Sequence, residues 1–97
     1  MKLSQLLAAL PDRPARPDVD PDITLITTDS RQVIPGALFV AYPGVSVDGH
    51  RFIPQALERG AAAIIGERDG SEVVPPGAFP VPHYFKVRNG REAFAWL

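Results

Sequence analysis

Two short clusters of polar residues, at positions 29–31 (DSR) and 48–50 (DGH), carry the side chains best suited to chemistry. Asp29, Ser30 and His50 supply the three residue types of a hydrolase triad. Because Asp29 and Ser30 are adjacent, their side chains tend to diverge, and Asp-Ser after an apolar run is ordinary turn chemistry. The turn interpretation is therefore favoured, and no catalytic residue is predicted in this chain.

Arg31 presents a planar guanidinium that suits a phosphate or a carboxylate ligand. It could equally pair with Asp29 or Asp48 and serve only to hold the loops, and this structural pairing is favoured. Asp48 has similar alternatives, because a carboxylate before glycine can shape the turn or cap the helix that follows. Arg31, Asp48 and His50 are therefore predicted as supporting residues of a binding site.

Metal and nucleotide-phosphate sites are not predicted. His50 has no second metal-ligand candidate three or four residues further on, and the chain contains no cysteine. The phosphate loop G-x-x-x-x-G-K-S/T, the metal helix H-E-x-x-H and the nucleophile elbow G-x-S-x-G are all absent from the sequence. We expect these residues to bind neither a metal nor a cofactor.

The composition indicates one small globular domain. Ninety-seven residues suffice for a single core, and 45% of them are hydrophobic. Ten basic and eleven acidic side chains give a net charge of −1, which offers no electrostatic reason for nucleic acid or an anionic membrane as partner. The only early apolar run ends at Pro11 and is too short to span a bilayer. The protein is predicted to be cytoplasmic.

The first 22 residues are predicted to form a lead-in to the core. A helix is expected over residues 1–10, because Leu3, Leu6, Leu7 and Leu10 have the spacing of one apolar face. Ser4 is the predicted N-cap. Residues 11–22 contain four prolines and four aspartates and should form an extended surface connector.

Residues 23–88 are predicted to form an α/β core. Pro54 is tolerated only in a first helical turn, and Gly60 suits the left-handed residue that ends a helix. Strand, loop, helix and strand in succession indicate parallel strands joined by a crossover. The predicted fold is a single small domain with a mixed or largely parallel sheet of about four to five strands and flanking short helices. The strands are expected at 23–28, 37–41, 61–65 and 83–87, and the helix at 51–59, with Phe52, Ile53, Ala56 and Leu57 buried.

Residues 89–97 resemble the beginning of a longer helix. Asn89 followed by Glu92 resembles a capping box, and Ala93, Phe94 and Leu97 begin an apolar face. About two turns of helix are marginal in water without strong packing. We therefore expect the natural protein to continue into a further domain.

Two loops follow the first two predicted strands: the first loop is residues 29–36 and the second loop is residues 42–49. Ligands settle beyond the carboxyl ends of parallel strands, so neighbouring strands would place both loops at one crevice. Backbone amides near residues 44–47, with the hydroxyls of Ser30 and Ser46, would suit a neutral polar ring such as a nucleobase. The two loops are therefore predicted to form a binding site.

These residues also resemble a known family. The run T-D-S-R-x-V-x-P-G-x-L-F-V-A-x-x-G-x-x-x-D-G-H-x-F-I, from Thr28 to Ile53, resembles the amino-terminal domain of the Mur ligases of peptidoglycan synthesis. The opening M-K-L-S-Q-L-L-A-A-L and the continuation A-L-E-R-G-A-A-A-I-I-G-E are most similar to the member that adds the third residue of the stem peptide. The resemblance covers nearly the whole chain.

The resemblance implies a three-domain ligase whose first domain holds the uridine end of UDP-N-acetylmuramoyl-L-alanyl-D-glutamate. Later domains would bind ATP and magnesium and select the amino acid, and they would follow this chain in cis. By motif position, the uridine-contacting residues are Thr28, Ser30, Val45, Ser46 and Val47, with the valines packing on the uracil.

The resemblance also implies that residues 1–97 alone hold substrate at most weakly and catalyse nothing, because the family's phosphate loop, carbamylated lysine and amino-acid-selecting residues would lie beyond Leu97. Two alternatives remain open. One is the same domain of the ligase that adds D-alanyl-D-alanine, and the other is a free-standing binding or interaction module. The opening helix and the I-P-Q-A-L-E-R-G run favour the third-residue enzyme.

Overall fold

A computed structural model describes residues 2–10, 21–44, 48–68 and 84–96. The described strands form one four-stranded sheet in the order β1-β2-β3-β4, with every neighbouring pair parallel. The predicted α/β fold is therefore confirmed, and the sheet is wholly parallel over these residues. The strands are β1 (Leu25–Thr27), β2 (Ala37–Val40), β3 (Ala63–Gly66) and β4 (Tyr84–Lys86), and the helices are α1 (Leu3–Ala8), α2 (Ile53–Glu58) and α3 (Gly90–Trp96).

The two central strands are covered on both faces. Every residue of β2 and of β3 is buried, as their continuous apolar sequences predict. One face of β2, with Leu38 and Val40, packs in a core cluster that includes residues of α1 and α3. The other face, with Phe39, packs in a cluster that includes α2. The sheet is thus the middle of three layers.

Helix α1 buries the predicted leucine stripe, and Leu3, Leu6, Leu7 and Leu10 are each at most 4% exposed. The predicted N-cap was wrong. Lys2 is the N-cap residue, and its backbone N–H donates to Oε1 of Gln5 at 3.2 Å. Ser4 lies inside the first turn instead, because the antiparallel bridge between Lys2 and Asp22 sets an earlier start for the helix.

The helix predicted at 51–59 is two elements in the structure. A 3₁₀ helix over Gly49–Phe52 leads directly into α2. The change of helical pitch turns Phe52 away from the core, so its predicted burial was wrong and it is 40% exposed. Ile53 and Ala56 are buried as predicted. Gly60 has φ of +96°, which confirms the predicted left-handed end.

Helix α3 begins at two hydrogen bonds that fix its position on the sheet. The side-chain oxygen of Asn89 accepts from the backbone N–H of Glu92 at 2.9 Å, as the predicted capping box requires. Oε2 of Glu67, just after β3, accepts from the N–H of Gly90 at 2.7 Å. Ala93 is buried, whereas Phe94 is 38% exposed, and Leu97 lies outside the described residues.

Candidate functional site

The carboxyl ends of β1 and β2 lie side by side at one edge of the sheet. The two strands pair in parallel, with Thr27 opposite Phe39. The first loop leaves this edge from β1 and the second loop leaves it from β2, as predicted. The second loop is held closed by an antiparallel bridge between Pro43 and Asp48. Its residues Val45, Ser46 and Val47 lie outside the described residues.

The first loop begins with a short 3₁₀ helix over Ser30–Gln32. Asp29 caps it by accepting from the backbone N–H of Arg31 at 2.9 Å. The same carboxylate pairs with the guanidinium, Oδ1 with Nε and Oδ2 with Nη2, each at 3.0 Å. Thr27, the last residue of β1, also holds the turn, because its hydroxyl oxygen accepts from the N–H of Asp29 at 3.0 Å. Arg31 therefore makes a structural pairing, as the sequence favoured, and its partner is Asp29 rather than Asp48.

Ser30 connects this turn to α2. Ser30 is only 5% exposed, and its hydroxyl donates to Oε1 of Gln55 at 2.7 Å. From the C-terminal end of α2, Arg59 donates through Nη2 to the carbonyl of Arg31 at 3.0 Å. The first loop is therefore fixed to α2 at both ends of that helix.

A surface depression of about 390 Å³ opens where the first loop meets the start of α2. Its volume lies within the range of small-molecule sites. The lining residues are Thr28, Asp29, Ser30, Arg31, Phe52 and Gln55.

The DGH cluster in the second loop joins three parts of the chain. Asp48 caps the 3₁₀ helix by accepting from the N–H of His50 at 3.0 Å. Its Oδ1 also lies 2.6 Å from Nδ1 of His50, and its Oδ2 accepts from Nη2 of Arg68 at 2.8 Å. Asp48 is thus the helix cap that the sequence allowed, and it pairs with Arg68 rather than Arg31.

The buried ring of His50 uses both of its nitrogens. Nε2 accepts from the backbone N–H of Glu67 at 2.9 Å and from that of Arg68 at 3.3 Å. Because Nε2 is an acceptor, the ring hydrogen of the neutral form lies on Nδ1 and is donated to Asp48. His50 is therefore committed to structure, and Ser30 and Asp29 have other partners, so these bonds form no hydrolase triad.

These contacts shift the pKa values of charged side chains in both loops. Hydrogen bonds from the side chain and then the backbone of Arg31 lower the pKa of Asp29, and the same pairing raises the pKa of Arg31. Burial would raise the pKa of Asp48, but hydrogen bonds from the backbone and ring of His50, with that from Arg68, outweigh it and lower that pKa. Both aspartates are therefore anionic at neutral pH.

The structure brings Thr28, Ser30 and Arg31 together at the depression, whereas Asp48 and His50 bind the second loop to the end of β3. The sequence did not predict that Gln55 and Phe52 lie close to Ser30. Ser30 and Gln55 are 25 positions apart, so no local sequence pattern predicts their contact. The one available indication was that Gln55 is a polar residue on a predicted helix beside the predicted site. Within the described ranges, no cluster of three or more His, Cys, Asp or Glu could hold a metal ion.

Within the described ranges, none of the helices has the length and hydrophobicity that a membrane-spanning segment requires.

Comparison with known proteins identifies relatives over the whole chain. Residues 22–95 match the family described as "Mur ligase family, catalytic domain". The chain is 47% identical over 97 residues to a UDP-N-acetylmuramyl-tripeptide synthetase of Roseiflexus sp., and covers 18% of that protein. It is 48% identical over 73 residues, 75% of its length, to a UDP-N-acetylmuramoyl-L-alanyl-D-glutamate–2,6-diaminopimelate ligase of Chlorobium phaeobacteroides, of which it covers 14%. The chain thus spans less than a fifth of these relatives.

Solved structures show the same fold. The chain superposes on MurF from Acinetobacter baumannii with a TM-score of 0.71 and 26% identity, over 97% of this chain and 19% of that one. It also matches the MurF ligase of Thermotoga maritima, solved in complex with ADP, with a TM-score of 0.54 and 35% identity over 67% of this chain and 13% of that one.

Proposed function

The chain belongs to the Mur ligase family, and from that membership we propose that it holds the uridine end of a UDP-linked muramoyl peptide. The observation that supports this most directly is the placement of Thr28 and Ser30 at a depression beside the carboxyl end of β1, the strand that pairs in parallel with β2. That is where open parallel sheets bind ligands. Val45, Ser46 and Val47 complete the proposed contact set from the second loop.

The proposed ligand is UDP-N-acetylmuramoyl-L-alanyl-D-glutamate, and the proposed reaction of the intact enzyme adds the third amino acid of the stem peptide. Relatives of 47% and 48% identity bear names for that step. The intact ligase would use ATP and magnesium to activate the substrate carboxylate, with both sites in domains that follow this one. In this proposal, residues 1–97 position the substrate and do not catalyse the ligation.

The likeness to MurF structures, and to a structure named as a D-alanyl-D-alanyl ligase of Acinetobacter baumannii, supports a second candidate, the ligase that adds D-alanyl-D-alanine. Its supporting identities, 26% and 35%, are lower than those of the tripeptide-forming relatives. The third-residue ligase is therefore our first proposal.

An assay of the intact ligase separates the two candidates. Phosphate release from ATP is measured with the UDP-muramoyl dipeptide plus diaminopimelate or lysine, and separately with the UDP-muramoyl tripeptide plus D-alanyl-D-alanine. We expect turnover only with the dipeptide. Turnover only with the tripeptide would assign the second candidate, and turnover with neither would contradict both. The 97-residue chain should bind the UDP-linked substrate and release no phosphate.

A further inference from the structure

Two residues of the depression lie outside the uridine-contacting set taken from the family motif. Phe52 ends the 3₁₀ helix before α2, and Gln55 lies in the first turn of α2. Both line the same depression as Thr28 and Ser30. Their side chains add an aromatic face and an amide to a site that otherwise contains hydroxyls and one ion pair.

The amide of Gln55 is oriented by Ser30. The hydroxyl of Ser30 donates to Oε1 of Gln55 at 2.7 Å, so the carbonyl end of the amide faces the buried serine. A glutamine amide has one carbonyl acceptor and one NH₂ group with two donors. With the carbonyl engaged, Gln55 offers the depression hydrogen-bond donors.

Phe52 is exposed for a structural reason. Asp48 caps the 3₁₀ helix that ends at Phe52, and the next residue, Ile53, takes the core position with 0% exposure. The phenyl ring is left 40% exposed at the rim of a concave surface. Exposed aromatic rings at such positions provide stacking surfaces for nucleobases.

Resting on the proposed function, we propose that Phe52 stacks on the uracil ring and that Gln55 donates a hydrogen bond to its C4 carbonyl oxygen. Uracil has carbonyl oxygens at C2 and C4, whereas cytosine has an amino group at C4. An amide donor directed at C4 would therefore select uridine over cytidine nucleotides. Gln55 then determines base specificity, and Phe52 contributes affinity without selecting the base.

The variant Gln55→Glu tests specificity with little structural change. Glutamate keeps an oxygen that can accept from Ser30 and replaces the NH₂ donor by a second acceptor. Affinities for UDP and CDP are measured by calorimetry on the 97-residue chain. The wild type should prefer UDP by about fivefold or more, and Gln55→Glu should lose or reverse that preference.

The matched control is Gln32→Glu. Gln32 also accepts a hydroxyl hydrogen bond, from Thr27 at 3.2 Å, but it does not line the depression. It introduces the same negative charge close to the first loop, so it corrects for repulsion of the diphosphate. Equal loss of the UDP preference in Gln32→Glu and Gln55→Glu would overturn the role of Gln55.

Phe52→Leu tests stacking, with Phe94→Leu as its control. The two phenylalanines are similarly exposed, at 40% and 38%, but Phe94 lies on α3. Phe52→Leu should weaken UDP and CDP binding alike by about fivefold or more, and Phe94→Leu should not. Phe52→Trp, which keeps an aromatic face, should retain most of the affinity. Urea unfolding of each variant verifies that it is folded.

The results separate this inference from the function on which it rests. If the wild type binds UDP but Gln55→Glu and Phe52→Leu bind as the wild type does, the roles of Gln55 and Phe52 are wrong and the uridine site stands. If the folded wild type binds neither UDP nor the UDP-linked muramoyl dipeptide, the proposed function fails, and this inference fails with it.

Discussion

The Nε2 atom of His50 accepts a hydrogen bond from the backbone N–H of Glu67 at 2.9 Å, which ties the second loop to the end of β3. The carboxylate of Glu67 in turn accepts from the N–H of Gly90 at 2.7 Å. A continuous set of hydrogen bonds therefore connects Asp48, His50, Glu67 and the start of α3. These contacts hold Asp48 and His50 against the end of β3.

Removing the His50 ring should destabilise the fold. In His50→Ala, the backbone N–H of Glu67 loses its acceptor and Asp48 loses a donor, while a cavity replaces a side chain that is only 3% exposed. We expect the free energy of unfolding in urea to fall by about 1–3 kcal/mol or more. Arg51→Ala, an exposed neighbour in the same 3₁₀ helix, should change it by less than about 0.5 kcal/mol. Equal effects of the two substitutions would contradict the assigned role of His50.

The carboxylate of Asp48 should make stability depend on pH in the acid range. Its pKa is lower in the folded chain than the ordinary 3.8, so the folded state binds fewer protons there than the unfolded state. Its stabilisation is therefore present at neutral pH and is lost as the pH falls through 3.8 toward the lower folded value. Asp48→Asn should be less stable than the wild type at pH 7 and lose less stability between pH 6 and pH 3.

The control for this pH series is Asp22→Asn. Asp22 makes one exposed ion pair, 3.6 Å from Lys2, with 69% of its side chain accessible. Its substitution should leave the acid dependence of the unfolding midpoint close to that of the wild type. An unchanged dependence in Asp48→Asn would show that the contacts of Asp48 do not contribute to acid stability.

The substitution Gly90→Ala tests whether helix propensity or packing has the larger effect on stability at the start of α3. Alanine is better than glycine in a helix interior by about 1 kcal/mol and by less at a first helical residue such as Gly90, so propensity alone predicts a small stabilisation. A Cβ at position 90 would, however, lie 2.7 Å from Cβ of Tyr42 and 2.9 Å from the carbonyl oxygen of Ala41. Because one of these atoms is backbone, we expect a net loss of about 1–3 kcal/mol in unfolding free energy.

Ala95→Gly provides the comparison on the same helix. Residue 95 is exposed, so this substitution reports propensity without the close contact and should cost about 0.5–1 kcal/mol. A Gly90→Ala protein that is more stable than the wild type would contradict the close approach of α3 to the end of β2.

The hydroxyl of Thr28 should contribute to binding. Thr28 lines the depression, whereas Thr24 lies before the same strand, at its other end, and donates to the carbonyl of Pro35 at 3.2 Å. Thr28→Val should weaken binding of the UDP-linked dipeptide by roughly two- to tenfold, the value of one hydrogen bond. Thr24→Val removes the same group at the opposite end and should leave the affinity unchanged. Calorimetry with equal affinity for both variants would remove Thr28 from the site.

The sequence predicted the elements whose apolar residues recur at a regular spacing or form a continuous run. Four leucines at helical spacing and two continuous apolar runs must pack against other elements to leave water, so α1, β2 and β3 were predicted. The start of α1 was not, because it depends on the bridge between Lys2 and Asp22, which are twenty positions apart. Ser4 has the chemistry of an N-cap but not the position.

The candidate site was predicted only in part for the same reason. Motif position and the parallel arrangement predicted that Thr28 and Ser30 follow the carboxyl end of β1, and the structure has them there. The partner of Ser30 lies on α2, and the exposure of Phe52 depends on the change from 3₁₀ to α geometry at Ile53. A helical pattern drawn at one pitch from residue 51 places Phe52 on the wrong face.

The most direct test of the proposed uridine site is a map of backbone amide shifts in the 97-residue chain titrated with UDP-N-acetylmuramoyl-L-alanyl-D-glutamate. We predict that the largest shifts occur at Thr28, Ser30 and residues 45–47, with little change at Thr24 and Gly60 at the opposite edge of the sheet. Saturable shifts confined to that opposite edge, or no shifts at millimolar ligand, would contradict the account.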